Sequence, residues 1–204
     1  MLIKTLPVGQ LETNCYVVTD EDSLDCAVID PGDESGTILD YLEDNKLHCR
    51  AVLLTHAHFD HVGAANALLE ATGARLYMCE KELELVKGGA SGRFTVPEDV
   101  KYYRDGDTVE VGGLRFEVME TPGHTPGGVT LRCGEALFTG DTLFRGSCGR
   151  TDFAGGDMRQ ELRSLKRIAE LPGDYEVYPG HAESGMLSIE REHNPYVRHA
   201  LEKM

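Results

Sequence analysis

An apolar run, Ala51-Val52-Leu53-Leu54, empties into Thr55-His56-Ala57-His58-Phe59-Asp60-His61, which packs four metal-capable side chains into six positions. A single His in a polar turn after a strand needs no explanation beyond the turn. Three His and an Asp at this density are hard to explain as packing. Neutral imidazole and carboxylate suit zinc and the harder first-row metals, so His56, His58, Asp60 and His61 supply donors for one metal site and part of another.

The same arrangement recurs three more times. Phe116-Glu117-Val118-Met119 leads to Thr121-Pro122-Gly123-His124, Ala136-Leu137-Phe138 to Thr139-Gly140-Asp141, and Glu176-Val177-Tyr178 to Pro179-Gly180-His181. Each is a β-like apolar run that stops at a Gly-containing turn with a ligand. If these strands share a sheet system and point the same way, their ends meet at one edge, where α/β architectures place their chemistry. Seven candidate ligands then converge: His56, His58, Asp60, His61, His124, Asp141 and His181.

The H-x-H-x-D-H string at 56 to 61, followed in order by His124, Asp141 and His181, resembles the metallo-β-lactamase superfamily over nearly the whole chain. TPGHTPGG at 121 to 128, FTGDTLF at 138 to 144, GRTDF at 149 to 153 and YPGH at 178 to 181 are similar to its glyoxalase II-like branch, the hydroxyacylglutathione hydrolases and their shorter bacterial relatives. The resemblance implies an α/β fold, the four-layered αβ/βα sandwich, with His56, His58 and His124 on one metal, Asp60, His61 and His181 on a second, and Asp141 bridging. Spacing alone does not partition the ligands. It permits one metal as well as two, and in a mononuclear site Asp60 and His61 become supporting or proton-transfer groups. We therefore expect Zn2+, two ions per chain, with iron or manganese compatible with the same donors, and take Asp60 as the candidate catalytic carboxylate.

Size and charge narrow the function. The 204 residues suffice for one well-filled core, and no linker-like stretch divides them, so residues 1–204 read as one domain. The formal charge is -15 and no basic run reaches five residues, which argues against nucleic acid as a partner. No apolar segment is long enough for a signal peptide core or a bilayer span, so a cytoplasmic location and no membrane partner are expected. Cys15, Cys26, Cys49, Cys79, Cys133 and Cys148 form no C-x-x-C and mostly sit in apolar runs, as reduced, buried thiols do.

Along the chain, strands are expected at Ile3 to Pro7, Asn14 to Thr19, Ala27 to Ile29, Arg50 to Leu54 and Arg75 to Cys79, with helices at Ser35 to Asp44, capped by Ser35, and from Ala65 to Gly73. Asp30, at the end of the third strand, either supports the site or simply initiates a turn. Lys87 to Tyr103, broken by Gly88, Gly89, Gly92 and Pro97, reads as a long surface excursion. A hairpin turning at Gly112-Gly113, strands at Val129 to Leu131 and Ala136 to Phe138, a helix through Met158 to Ala169 and a last helical segment near Leu187 to His193 complete the pattern. His48, His193 and His199 lack companions at ligand spacing, and Cys148 reads as a small packed residue.

Three or four protein ligands leave zinc a position for water, whose pKa falls to about 7 and gives hydroxide at neutral pH. The leading expectation is a hydrolase that uses this hydroxide on a small, anionic, hydroxyacylglutathione-type thioester, with Arg145 and Arg150 receiving the negative charge. Longer glyoxalase II enzymes continue into a helical glutathione-binding domain, whereas twenty-three residues follow His181 here, as in the shorter relatives. The alternative is a persulfide dioxygenase-like enzyme with a single iron, whose GCGRTDF-like string is similar to Cys148 to Phe153. A purely structural metal site ranks last, because such sites are usually closed and Cys-rich. The acyl group, thiol carrier and oligomeric state leave no mark in the sequence.

Overall fold

The structure is a computed structural model and describes residues 1–203. From the amino terminus the chain forms β1 (Leu2–Val8), β2 (Thr13–Thr19), β3 (Asp25–Ile29), α1 (Ser35–Asp44), β4 (His48–Leu53), the one-turn α2 (Phe59–Val62), α3 (Ala65–Thr72), β5 (Arg75–Cys79), α4 (Leu83–Lys87) and β6 (Lys101–Tyr103). It continues through β7 (Thr108–Val111), β8 (Leu114–Glu120), β9 (Val129–Cys133), β10 (Ala136–Gly140), the short pair β11 (Leu143–Phe144) and β12 (Ser147–Cys148), α5 (Met158–Ala169), β13 (Glu176–Pro179), β14 (Gly185–Met186), α6 (Leu187–His193) and α7 (Pro195–Lys203).

Two six-stranded sheets result, in the orders β1-β2-β3-β4-β5-β6 and β14-β13-β10-β9-β8-β7. In the first, β3, β4, β5 and β6 run parallel through helical crossovers. In the second, β10 is parallel to β13 and antiparallel to β9, and β9 is antiparallel to β8, so β8, β10 and β13 share one direction.

Side chains alternate across a strand, and this period sorts the residues into three cores. Cys15, Val17, Val52 and Leu54 face outward onto Ile38 and Leu42 of α1 and Ala65 and Leu68 of α3. Their neighbours Tyr16, Val18, Ala51 and Leu53 face inward onto Phe116, Val118, Leu131 and Phe138 of the second sheet. Leu137 and Val177 face the other side, onto Leu165 and Ile168 of α5 and Val197 and Ala200 of α7. Three cores between four layers are the expected αβ/βα sandwich, and each fully buried Leu, Ile or Phe contributes about 1.5–3 kcal/mol relative to exposure.

Some local expectations change. Ser35 is the first residue of α1 rather than its cap; Glu34 takes the cap position with φ 52°, and its carboxylate accepts the Gly9 N–H at 3.0 Å. The stretch from Lys87 to Tyr103 is only partly a surface excursion, because it supplies β6, and Phe94 is buried in the outer core. All six Cys are free thiols; five are buried and Cys148 is half-buried. Among the described residues no helix is long and apolar enough to cross a membrane.

Candidate metal centre

Because β3 and β4 are parallel, and β8, β10 and β13 share a direction, the turns that carry the expected ligands leave each sheet at its carboxyl edge. Hydrogen bonds between the sheets bring the two edges together. Thr55 O accepts the Val129 N–H at 2.9 Å, Gly180 O accepts the Asn14 N–H at 2.8 Å, and Pro179 O accepts both the Asn14 amide at 3.0 Å and the Tyr16 hydroxyl at 2.5 Å.

All seven sequence-predicted ligands meet there. Donor atoms of His56, His58 and His124 lie within 4.8 Å of one another, and so do those of Asp60, His61 and His181. Asp141 stands between the two groups: its Oδ1 is 3.3 Å from His61 Nε2, and its Oδ2 is 3.5 Å from His124 Nε2 and 3.6 Å from His181 Nε2. Asp30, His56 and His61 also offer donor atoms within 4.8 Å of one another, so His56 and His61 each belong to two such groups.

Four of the five imidazoles are held from behind through Nδ1. His61 Nδ1 is 2.9 Å from Asp30 Oδ2, His124 Nδ1 is 2.7 Å from Arg150 O, and His181 Nδ1 is 3.1 Å from Leu11 O. Carboxylate and carbonyl oxygens only accept, so these rings carry a proton on Nδ1. His56 Nδ1 lies 3.1 Å from the Thr55 hydroxyl, whose own hydrogen is donated to Asp30 Oδ2 at 2.5 Å, so this ring donates as well. Each Nε2 is thereby turned inward. His56 Nε2, His61 Nε2 and Asp141 Oδ1 are buried without a hydrogen-bond partner, and each such atom costs about 1–3 kcal/mol if nothing satisfies it. A donor set of inward Nε2 atoms, the His58 Nδ1 that lies 2.9 Å from His124 Nε2, and carboxylates fits divalent cations.

The charge states of His56, His58 and Asp60 suit a bound cation. Burial, reinforced by His61, holds His56 well below the ordinary imidazole value, and burial with His124 lowers His58 to about 4, so both are neutral, as ligation requires. Burial alone would lower His61, but Asp141 and Asp30 hold it well above its usual value; a bound cation must displace that proton. Burial likewise opposes ionisation of Asp60, yet the His181 hydrogen bond and the His61 charge keep its carboxyl below the usual range.

The sequence profile described as the Metallo-beta-lactamase superfamily matches residues 8–181, which span every one of these ligands. The chain belongs to that superfamily. Its fold and its His/Asp cluster are those of a metallo-hydrolase. It is 32% identical to the hydroxyacylglutathione hydrolase GloC of Haemophilus influenzae, over 97% of this chain and 98% of that one. Among solved structures, TTHA1623 in a di-iron-bound form matches with TM-score 0.84 and 36% identity, covering 95% of this chain and 99% of the other. ETHE1 from Myxococcus xanthus matches with TM-score 0.83 and 30% identity, covering 99% and 91%.

Three buried carboxylates back this superfamily site. Asp30, at φ 49°, accepts the Thr55 N–H at 2.7 Å and the Thr55 hydroxyl and aligns His61, so it is a supporting group and not only a turn former. Glu82, in the 3-10 turn Glu80–Glu82, accepts the Ala57 N–H and the Gly127 N–H, each at 2.7 Å, and so ties the His56/His58 loop to the His124 loop. Glu161 of α5 accepts the His124 N–H at 2.9 Å, and burial pushes its carboxyl up to about 9. Glu82 and Glu161 carry no sequence signal beyond an acid in a helical stretch. Partners of this kind typically change metal affinity or activity 10–100-fold. Asp30→Asn is expected to weaken metal binding by about that much, because an amide NH2 facing His61 Nδ1–H repels it; competition with a chromogenic chelator measures the shift.

The cluster opens onto a cleft of ≈ 700 Å³ whose walls include Phe59, Phe144, Cys148, Arg150 and Phe153. Of the two expected substrate cations, Arg150 lines this cleft, with its guanidinium 4.0 Å over the Phe153 ring and two 2.7 Å hydrogen bonds to Asp152. Arg145 does not line it and is paired with Glu183. Burial raises the Cys148 thiol to about 12, so it serves as wall rather than nucleophile.

Proposed function

We propose that the chain is a metal-dependent thioester hydrolase acting on a small anionic substrate of hydroxyacylglutathione type, with two zinc ions held by His56, His58 and His124 and by Asp60, His61 and His181, and Asp141 shared between them. The observation that carries this reading is the pair of donor groups flanking Asp141 at the floor of one cleft. The 32% identity to GloC supports the thioester class. Bound there, divalent metal supplies Lewis acidity to an acyl carbonyl and brings the pKa of water to about 7.

The chain's own groups do the rest. Asp60 lines the cleft and stays ionised, so its carboxylate can orient the attacking water by accepting a hydrogen bond from it. Thr13 holds that carboxylate by donating its hydroxyl to Oδ2 at 3.1 Å. Phe144 and Phe153 keep bulk water from the reacting carbonyl. Arg150 stands on the acyl side of the cleft, where a carboxylate on the acyl arm would reach it by displacing Asp152, whereas Arg145 would have to leave Glu183 and swing inward.

The single-iron, persulfide dioxygenase-like reading is favoured by one observation: His56, His58 and His124 form a complete three-ligand group by themselves, and the similarity to ETHE1 fits it. Metal analysis of protein purified without added metal, combined with two assays, separates the readings. Two zinc per chain with cleavage of an S-hydroxyacylglutathione is the expected result. One iron per chain with oxygen uptake on glutathione persulfide, and no thioester cleavage, would replace the hydrolase by the oxygenase.

A further inference from the structure

A second cavity, of ≈ 490 Å³, lies beside the metal cleft and shares Leu11, Phe59 and Asp60 with it. Leu11 and Phe59 are more than half exposed, so two apolar side chains form an open ridge between the lobes. The main lobe has predominantly apolar walls. The second lobe is less apolar than the first and contains Asp33 and Arg93.

Arg93 differs from the other cations near the site. Arg145 and Arg150 are paired with carboxylates, whereas among the described residues Arg93 makes no ion pair and no side-chain hydrogen bond. Its backbone is anchored on both sides. The Ser91 hydroxyl donates to Ala57 O, inside the ligand loop, and Phe94 is buried in the outer core. Gly92, at φ 61°, passes so close to the ridge that a Cβ there would lie 3.3 Å from Phe59 Cβ. A solvated guanidinium is therefore held on a fixed base in a lobe that opens at Asp60.

We propose that the second lobe is the thiol-carrier subsite, and that Arg93 recognises a carboxylate of the carrier. The scissile thioester sits over the metal ligands, the acyl arm fills the apolar lobe, and the carrier crosses the Leu11/Phe59 ridge toward Arg93. Asp33 lines the same lobe, so a carrier that also bears an ammonium group, as an α-amino acid does, finds a partner for each charge. This assignment rests on the thioester reading and names the determinant of its carrier specificity.

The test uses an uncleavable thioether, S-hexylglutathione, and its dimethyl ester, with binding measured by calorimetry on the metal-loaded protein. Arg93→Ala is expected to weaken binding of the diacid by about five- to tenfold, since an exposed charge-assisted contact lies at the low end of such interactions. Arg93→Glu should weaken it further, and Arg93→Lys should restore much of the affinity. The dimethyl ester should bind the unaltered protein more weakly than the diacid and respond little to any of these changes. Equal affinities of the unaltered protein and Arg93→Glu for the diacid would overturn the assignment, and so would the same loss for diacid and diester or no binding of the diacid at all. Thioester turnover is followed in parallel. No turnover with Arg93-dependent binding removes the hydrolase reading and keeps the subsite, while turnover with Arg93-independent binding does the reverse.

Discussion

Asp141→Ala should lose nearly all activity and bind less metal, with kcat/KM down by at least about a thousandfold, beyond the 10–100-fold typical of a group that only supports a ligand. Asp141 follows β10 directly and stands within 3.6 Å of nitrogens from His61, His124 and His181. Its removal leaves those imidazoles facing one another without the carboxylate that balances a cation, so both groups lose a shared donor and kcat falls with occupancy. Asp152→Ala is the comparison. That carboxylate is exposed and, among the described residues, pairs with Arg150 alone, so metal content should be unchanged and kcat/KM should stay within about threefold. Elemental analysis after dialysis, with steady-state kinetics on both variants, checks the pair. Full and equal occupancy in the two would remove Asp141 from the metal centre.

Gly180→Ala should damage the site almost as severely through one methyl group. A Cβ at this position would sit 2.2 Å from Asp141 Oδ1 and 2.7 Å from His61 Cε1. Neither side can give way easily. The Gly180 N–H donates to Gly140 O at 2.8 Å, its carbonyl accepts from Asn14, and the His61 ring is held by Asp30. The methyl group must therefore push Asp141 and His61 out of their places. We expect metal affinity and kcat/KM to fall by about a hundredfold or more. Overpacking costs about 1–3 kcal/mol, so the thermal midpoint should drop by about 2–12 °C for a chain of this size and the fold should survive. Gly36→Ala is the control, because a Cβ there meets nothing within 4 Å and Ala favours helix α1. It should keep full metal content and activity. If Gly180→Ala behaves like the control, the close packing of the β13 turn against the ligands is not a functional constraint.

Helix and strand patterns are readable where one local rule decides the outcome, and misleading where two local rules compete or a distant contact decides. Asn194-Pro195 looks like a stop after α6. In the structure the Asn194 side-chain Oδ1 accepts the Tyr196 N–H at 3.0 Å and the Val197 N–H at 3.3 Å, and Pro195 is the first residue of α7. The same two residues therefore open a helix, because Asn caps well and Pro at the first position gives up no hydrogen bond. The glycine-broken stretch after Lys87 hides Ser91 and Phe94, whose burial depends on the ligand loop at Ala57 and the outer core rather than on their neighbours in sequence.

The sequence by itself determined the ligand types, their position at the ends of apolar runs, and the α/β alternation that sends those ends to a common edge. These are local matters: side-chain chemistry, a period of two along strands and the turns that Gly permits. Only the tertiary structure decided that the other six candidate ligands gather around Asp141, and that Asp30, Glu82 and Glu161 stand behind them. The partners of those three acids are 25 to 45 residues away along the chain. It also decided which cations are free to meet a substrate. Arg145 and Arg150 look alike in the sequence as two charges near a ligand, but each meets a carboxylate, whereas Arg93, in a stretch without pattern, meets none among the described residues. A charge is neutralised through space, and sequence spacing carries no record of that distance.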